Sequence, residues 1–290
     1  MWEVAAGSVV GYDHISVGKT LVGRNCQDAY AIRRYPAELV AVICDGCGSG
    51  AHSEFGARLG ANVLSHLVAC ERSYSSAWPL TTEEFEKRLH LSRSDLLRVL
   101  QETAYQMTGM PISPSFVNDY LLFTIVGVHI SDQAVYVFSI GDGCVGGSIQ
   151  GVPWRTVFGK TENNTPPYVA YDLVPSAISS MIDTTFKLMR FDPDELDGLY
   201  IGSDGLVDWV QSKVLPGTDT PIGPINQFCE DDVYFSNKDA ISRKLRLCNT
   251  EVTRIDRESS RKVTFQRLLP DDTTIVAFRK KRTELSSAVS

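Results

Sequence analysis

The amino-acid sequence predicts an α+β layered fold, on three observations. Runs rich in β-branched and aromatic residues recur at 30–34, 38–44, 121–130, 134–140, 199–201 and 273–278. Helical periodicities lie between groups of these runs and do not alternate with each strand, which argues against a regular β-α-β repeat. The composition, 43% hydrophobic and 22% charged over 290 residues, can fill a sizeable core.

In chain order, the first two runs read as strands. From Glu54 onward, Phe55, Leu59, Val63 and Leu67 recur every fourth residue, one apolar stripe on a helix that ends near Cys70. Thr81-Thr82-Glu83-Glu84 has the form of a capping box. Phe85, Leu89, Leu96, Leu97, Leu100, Ala104 and Met107 carry an apolar face onward, and their spacing predicts two helices split at 92–94, stopped by Gly109 and Pro111. Ser131-Asp132-Gln133 is a short polar turn, so the runs on either side of it should form an antiparallel hairpin. Residues 211–261 hold Pro216, Pro221 and Pro224 with little strand signal, and read as an irregular insertion. Within it Asn237 can cap a late helix with Ile241, Leu245 and Cys248 on one face. No repeat or linker divides the chain, so residues 1–290 are expected to be one domain.

The net charge of −7 gives no reason to expect nucleic acid or a membrane as partner. The first residues lack the basic and apolar regions of a signal peptide. The apolar stretch 120–130 is too short to span a bilayer and is interrupted by Thr124 and His129. Seven scattered cysteines read as reduced thiols of a cytoplasmic protein. Asn163-Asn164-Thr165 has the glycosylation pattern but, without a secretory signal, reads as a loop.

Four acidic positions flank the predicted strands. Asp28 precedes the first run, and Asp45 follows the second and leads into Gly46-Cys47-Gly48-Ser49-Gly50. Asp204 follows residues 199–203 and precedes Gly205, while Asp271 and Asp272 precede the last run. Taken singly, each is an ordinary turn former or helix cap. Taken together, carboxylates at the ends of buried strands repel one another unless a hard divalent cation lies between them, and all-oxygen ligands suit Mg²⁺ or Mn²⁺. If Asp204 opens a helix, Asp208 faces the same way one turn later.

These positions resemble the motifs of the metal-dependent protein phosphatase family, also called protein phosphatase 2C, in family order. Cys26-Gln27-Asp28-Ala29 is similar to an Asn-Glu-Asp-Ala string, and residues 42–46 to the central Asp-Gly motif. Residues 138–142 are similar to a Gly-Asp motif. Residues 201–208 are similar to Ser-Asp-Gly-hydrophobic-X-Asp, and residues 271–276 to a closing Asp-Asn-X-Thr. Asp13-His14 and the Asp-Gly-X-Gly-Ser loop resemble a bacterial branch. The resemblance implies a four-layer α-β-β-α sandwich around a central antiparallel β-sandwich. It implies that Asp45 bridges two Mg²⁺ or Mn²⁺ ions, with Asp204 and Asp271 completing one shell and Asp28 and the Gly46 carbonyl near the other. Asp142 and Asp208 match positions that hold a third ion in some bacterial members.

The implied reaction is hydrolysis of phosphoserine or phosphothreonine in a phosphorylated protein, the product of a partner serine/threonine kinase, by a hydroxide bridging the metals. Two departures stand out. Cys47 occupies the place of a usual general-acid histidine, and Gln27 that of a usual acid, which weakens the second metal or leaves more water around it. His52 is the nearest histidine to the central loop and is the candidate general acid; His14 is a packing residue or sits behind the ligands. Gly23 stands where many members carry a phosphate-binding arginine, so Arg24 beside it is the candidate phosphate contact.

Other functions fit parts of the pattern. The loop 45–50 also resembles the glycine-rich motif of S-adenosylmethionine-dependent methyltransferases and fits a dinucleotide fingerprint, with Glu71 at the spacing of a ribose-binding acid. That leaves Asp204 and Asp271 unexplained. Cys44-X-X-Cys47 has the form of a zinc or redox motif but lacks a second pair. A catalytically weak, phosphatase-like regulatory module is the third alternative.

Overall fold

A computed structural model describes residues 1–17, 20–21, 23–70, 81–158, 166–174, 182–255, 261–265 and 267–281. Glu71 and Asn163-Asn164-Thr165 lie outside these. The elements run β1 (Trp2–Val9), α1 (Tyr12–Ile15), β2 (Ser16–Val17), β3 (Thr20–Leu21), β4 (Ala29–Tyr35), β5 (Glu38–Gly46), α2 (Ser53–Cys70) and α3 (Thr82–Thr108). They continue with α4 (Pro114–Phe116), β6 (Phe123–Ile130), β7 (Val135–Ile140), β8 (Gly143–Ile149), β9 (Val152–Phe158), β10 (Lys187–Phe191) and β11 (Leu196–Gly202). The rest are α5 (Leu206–Gln211), α6 (Gln227–Glu230), α7 (Asp232–Ser236), α8 (Ala240–Cys248), β12 (Val252–Ile255), β13 (Lys262–Phe265) and β14 (Thr273–Lys280).

Two five-stranded antiparallel sheets face each other. One has the order β1-β14-β11-β8-β9 and the other β10-β7-β6-β5-β4. Strand β5 shows why its sequence is apolar without alternation. Leu39, Ala41 and Ile43 enter the core between the sheets with Val126, Val145, Ile201 and Val276. Val40, Val42 and Cys44 point the other way, into a second core with Ala57, Leu64, Phe85 and Leu89 of α2 and α3. A strand buried on both faces has no polar side to show. On the far face of the other sheet, Tyr200, Ile275 and Ala277 pack on Trp209, Phe228, Ile241 and Leu245 from the helices after residue 205. The expected four-layer α-β-β-α sandwich is therefore present, and the hairpin across 131–133 is β6-β7.

The split expected at 92–94 does not occur: α3 is one helix of 27 residues. Phe85, Leu89, Ser92, Leu96 and Leu100 form one buried stripe, with fully buried Ser92 continuing it where an apolar residue was missing. Thr81 and Glu84 make the reciprocal capping box, and Gly109 closes the helix in the left-handed conformation. Thr81→Ala should cost about 1 kcal/mol, seen as a lower urea midpoint with an unchanged slope.

The segment 211–261 holds more helix than its composition suggests. It contains α6, α7 and α8 besides the isolated Val214–Pro221 bridge. The cap of α8 is Asp239, with the Asn237 side chain accepting the Asp239 amide at 3.0 Å. Ile241, Leu245 and Cys248 are buried as the spacing required.

Candidate metal centre

Strand register gathers the acids at one end of the sandwich. Ala29, at the start of β4, pairs with Cys44, and Gly46, at the end of β5, pairs with Phe123 at the start of β6. Gly202, at the end of β11, lies between Cys144 of β8 and Ile275 of β14. The connections carrying Asp28, Asp45, Asp142, Asp204 and Asp271 therefore open on the same side. Asp45, Gly46, Cys47, Asp142, Asp204 and Asp271 line one cavity of about 290 Å³, with Thr124 and Tyr168 in its wall. Asp142 reaches it from a turn between Gly141 at φ 92° and Gly143 at φ 125°, angles that a side chain would strain. An adjoining recess of about 370 Å³ shares Asp204 and Asp271, and adds Asp13, His14, Gly205, Asp208 and Pro270.

Asp28 sits behind the cavity, 5% exposed. Its Oδ2 accepts the Ser203 hydroxyl at 2.7 Å, and the Ser203 oxygen in turn accepts the Thr274 amide at 3.0 Å, which ties β4 to the opposite sheet. Asp272 is also buried. It accepts the backbone amides of Gly11 and Gln27 and lies 3.0 Å from His14 Nδ1.

Burial, and after it the charges of Asp28, Asp204, Asp271 and Asp142, push Asp45 well above the usual carboxylate range. Burial followed by Asp272 raises Asp28. Burial and Asp204 lift Asp142 to about 7 and Asp271 to about 6, and the same two causes raise Asp208. His14 is raised by its hydrogen bond to Asp272. Such a cluster is poorly compensated by protein groups alone. Asp28 Oδ1 and Asp204 Oδ1 are buried without a hydrogen-bond partner. Hard oxygen donors, orphaned oxygens and mutual repulsion fit one or more divalent cations. Among the described residues no three acidic, imidazole or thiol groups stand closely enough to hold an ion as they are.

With divalent ions chelated, the protein should lose stability as pH rises. Asp142 and Asp271 keep their protons up to about 7 and about 6 when folded, against 3.8 ordinarily. The folded state then binds more protons than the unfolded chain in this window, so stability is greatest at its acid end and falls toward neutrality. In EDTA, calorimetric melting should come at a higher temperature near pH 5.5 than near pH 8, and Mn²⁺ should stabilise most at the higher pH, where it does not compete with protons.

Three expectations need correction or refinement. His52 does not line the cavity: α2 starts at Ser53, and the exposed His52 ring packs on Tyr120 with centroids 4.9 Å apart. Gln27 does not stand among the acids. Its amide donates to Ser53 Oγ at 2.7 Å, Gly50 O at 3.2 Å and Cys47 O at 3.4 Å, holding the loop 46–53 from behind. Arg24 is exposed on the rim, its guanidinium donating to Gly48 O at 2.7 Å. His14 and Asp272 are the neighbours of the acids whose contacts sequence reasoning missed; the Asp13-His14 pair was the available signal.

Cys26, Cys44, Cys47, Cys144, Cys229 and Cys248 are free thiols. The glycine loop 45–50 emerges from antiparallel strands, without the parallel crossover of a dinucleotide site. No described helix is long and apolar enough to cross a membrane.

A family model described as Protein phosphatase 2C matches residues 10–231, which include Asp28, Asp45, Asp142, Asp204 and Asp208 but stop short of Asp271. Curated proteins give no match. Among solved structures, serine/threonine phosphatase Stp1 from Staphylococcus aureus is 13% identical, with 97% of this chain and 96% of that one covered and a TM-score of 0.56. Serine-threonine phosphatase 2C from Toxoplasma gondii is 10% identical, with 97% and 95% covered and a TM-score of 0.56. A bacterial serine phosphatase is 14% identical, with 98% and 100% covered and a TM-score of 0.55. At these identities the structures share the fold. The family match spans most of the sequence and, Asp271 apart, the acids that meet at one end of its sandwich, and the chain belongs to the protein phosphatase 2C family of metal-dependent serine/threonine phosphatases.

Proposed function

We propose that the cavity hydrolyses phosphoserine and phosphothreonine esters of a protein, with two Mg²⁺ or Mn²⁺ ions held by Asp45, Asp204, Asp271, Asp28 and the Gly46 carbonyl. Asp45 would serve both ions, Asp204 and Asp271 one of them, and Asp28 with Gly46 the other. Asp142 and Asp208 are the positions for a third. The observation that supports this assignment is the meeting of acids from separate strand ends around one cavity, with oxygens of Asp28 and Asp204 unpartnered. Bound there, the ions supply an acidified water and offset charge on the phosphoryl oxygens.

The chain's own groups prepare the rest. The acids fix where cations and phosphate meet, and the Ser203 hydroxyl holds Asp28 in orientation. Thr124 and Tyr168 wall the cavity. Arg24 is the proposed phosphate contact at the rim. Cys47 lies in the wall where the family pattern has histidine, and His52, packed on Tyr120, is not retained as general acid. The substrate is the product of a protein kinase, and the setting proposed is the cytoplasm.

The test is release of phosphate from a phosphothreonine peptide. Hydrolysis that requires added Mn²⁺ or Mg²⁺ and stops with EDTA supports the proposal. Hydrolysis unaffected by EDTA, or none with either ion, refutes it.

A further inference from the structure

A phosphate ester brings only oxygen acceptors into the cavity, and few side chains there can donate to them. Asp45, Asp142, Asp204 and Asp271 only accept when ionised, and no lysine, arginine or histidine is among the described lining residues. The lining side chains that can donate are Cys47, Ser49, Thr124 and Tyr168. Ser49 is exposed, and its hydroxyl is hydrogen-bonded to Cys47 Sγ at 3.1 Å. Thr124 turns its methyl to Gly141, where an added Cβ would lie 2.6 Å from it. Tyr168 is placed otherwise. It is 7% exposed, its hydroxyl is hydrogen-bonded to the Cys47 thiol, and Asp142 and Asp45 lie near enough for their charges to act on it.

Tyr168 is also fixed from outside the cavity. It precedes a 3-10 turn over Val169–Leu173, and its carbonyl accepts the Tyr171 amide at 3.1 Å. The rings of Tyr168 and Tyr171 meet edge to face, with centroids 5.4 Å apart. Asp172, in the same turn, accepts from Arg93 of α3 and from Thr184 Oγ1 at 3.0 Å, and Arg93 also donates to Thr184 O at 2.9 Å. An ion pair with α3 therefore holds the turn that carries the phenol. A donor set in place beforehand needs no reorganisation during the reaction.

We propose that the Tyr168 hydroxyl touches the substrate and donates a hydrogen bond to the serine or threonine oxygen that leaves phosphorus. In hydrolysis the oxygen of the attacking water bonds to phosphorus, and the electron pair of the breaking ester bond stays on the leaving oxygen. Charge grows there until the proton given up by the water settles on it. The acids are assigned to the phosphoryl oxygens through the ions they bind, so the ester oxygen depends on a neutral donor. A phenol is protonated at neutral pH, and Tyr168 steadies this charge while keeping its own proton. Turning the hydroxyl from a thiol, a weak acceptor, to a developing alkoxide exchanges a poor hydrogen bond for a strong one.

The role of Tyr168 rests on the phosphatase reading above, and its test separates the two. Wild type and Tyr168→Phe are compared with saturating Mn²⁺ on a phosphothreonine peptide and on p-nitrophenyl phosphate. The leaving oxygen of the peptide is a strongly basic alkoxide that needs the donor, whereas p-nitrophenolate is a weak base that needs it little. Loss of one positioned donor costs about 100-fold in kcat, so the variant should fall by about that on the peptide and by at least about 10-fold less on p-nitrophenyl phosphate. Peptide KM should change little, because the bond gains its strength only as charge develops. Phenylalanine keeps the ring and its packing, so melting and Mn²⁺ affinity by calorimetry should match wild type. Equal losses on the two substrates, a peptide kcat within about 3-fold of wild type, or an altered Mn²⁺ affinity overturns the role. A wild type that hydrolyses neither substrate with Mn²⁺ removes the phosphatase proposal and this role together, whereas an active wild type with an equally active variant removes the role alone.

Discussion

Asp204→Asn is expected to lower Mn²⁺-dependent release of phosphate by at least about 100-fold while the melting temperature in EDTA stays the same or rises. Asp204 lines both the cavity and the recess beside it, and one of its buried oxygens has no protein partner. An amide of the same shape keeps the packing but loses the charge, and with it both a hard ligand and a source of repulsion on Asp45, Asp142 and Asp271. Residues that only support ligands already cost about 10–100-fold when changed, and a ligand should reach at least the top of that range. Removing the repulsion should, if anything, steady the metal-free fold. The rate on a phosphothreonine peptide and a melting curve in EDTA check the two halves. Equal rates for variant and wild type would exclude Asp204 from the reaction.

Gln27→Glu should destabilise the protein by about 3–5 kcal/mol, although glutamate is the acid of the family string that this segment resembles. Gln27 is 2% exposed. Its amide nitrogen faces the carbonyls of Gly50 and Cys47 and the Ser53 hydroxyl, and that hydroxyl already donates to Cys47 O at 2.9 Å. All three neighbours accept from the amide as they stand. A carboxylate would meet two carbonyl oxygens, and the Ser53 hydroxyl could serve it only by leaving Cys47 O, so the buried charge would be poorly compensated. Gln27→Ala removes the bonds without adding the charge and should cost less. Urea unfolding of both variants measures the difference; a glutamate as stable as wild type would mean that the loop is not held in this way.

Of the strands that the sequence announced, β5, β6, β7 and β14 are buried on both sides and their apolar residues run without a break, whereas β4 was marked by its β-branched and aromatic residues although partly exposed. Strand β8 escaped because close packing calls for glycine in it. A Cβ on Gly146 would lie 2.4 Å from the Tyr200 hydroxyl, and one on Gly147 2.1 Å from Gly198 O, so the residues that fit there carry no strand signal. Strands β9 and β10 lie at sheet edges and are partly exposed, and so lack a continuous apolar run. The split predicted in α3 came from treating a serine pair as a boundary, whereas Ser92 fits a tight core and the Ser94 hydroxyl bonds back to His90 O.

The acids of the cavity were legible because each stands where a strand ends beside a turn residue. The partners of Asp272, Gln27 and His14 were not, because they lie elsewhere along the chain, such as the Gly11 amide 261 positions from Asp272. His52 misled for the converse reason. Nearness in sequence to the central loop says nothing of direction, and the start of α2 turns that ring to Tyr120.

Pairing of β1 with β14 runs from Trp2 opposite Lys280 to Val9 opposite Thr273, and β14 also separates β1 from β11. On a ribosome, β1 is made before the other strands of the sandwich and stays without its neighbour until residue 280 has emerged. The other sheet draws four of its five strands from residues 29–140, and can close on α2 and α3 long before that. The nascent chain therefore carries a half-built sandwich with an unmatched leading strand, a state open to misassociation and suited to chaperone protection. The acid cluster is complete only once Asp271 has emerged, so a shorter nascent polypeptide lacks the full set of acids.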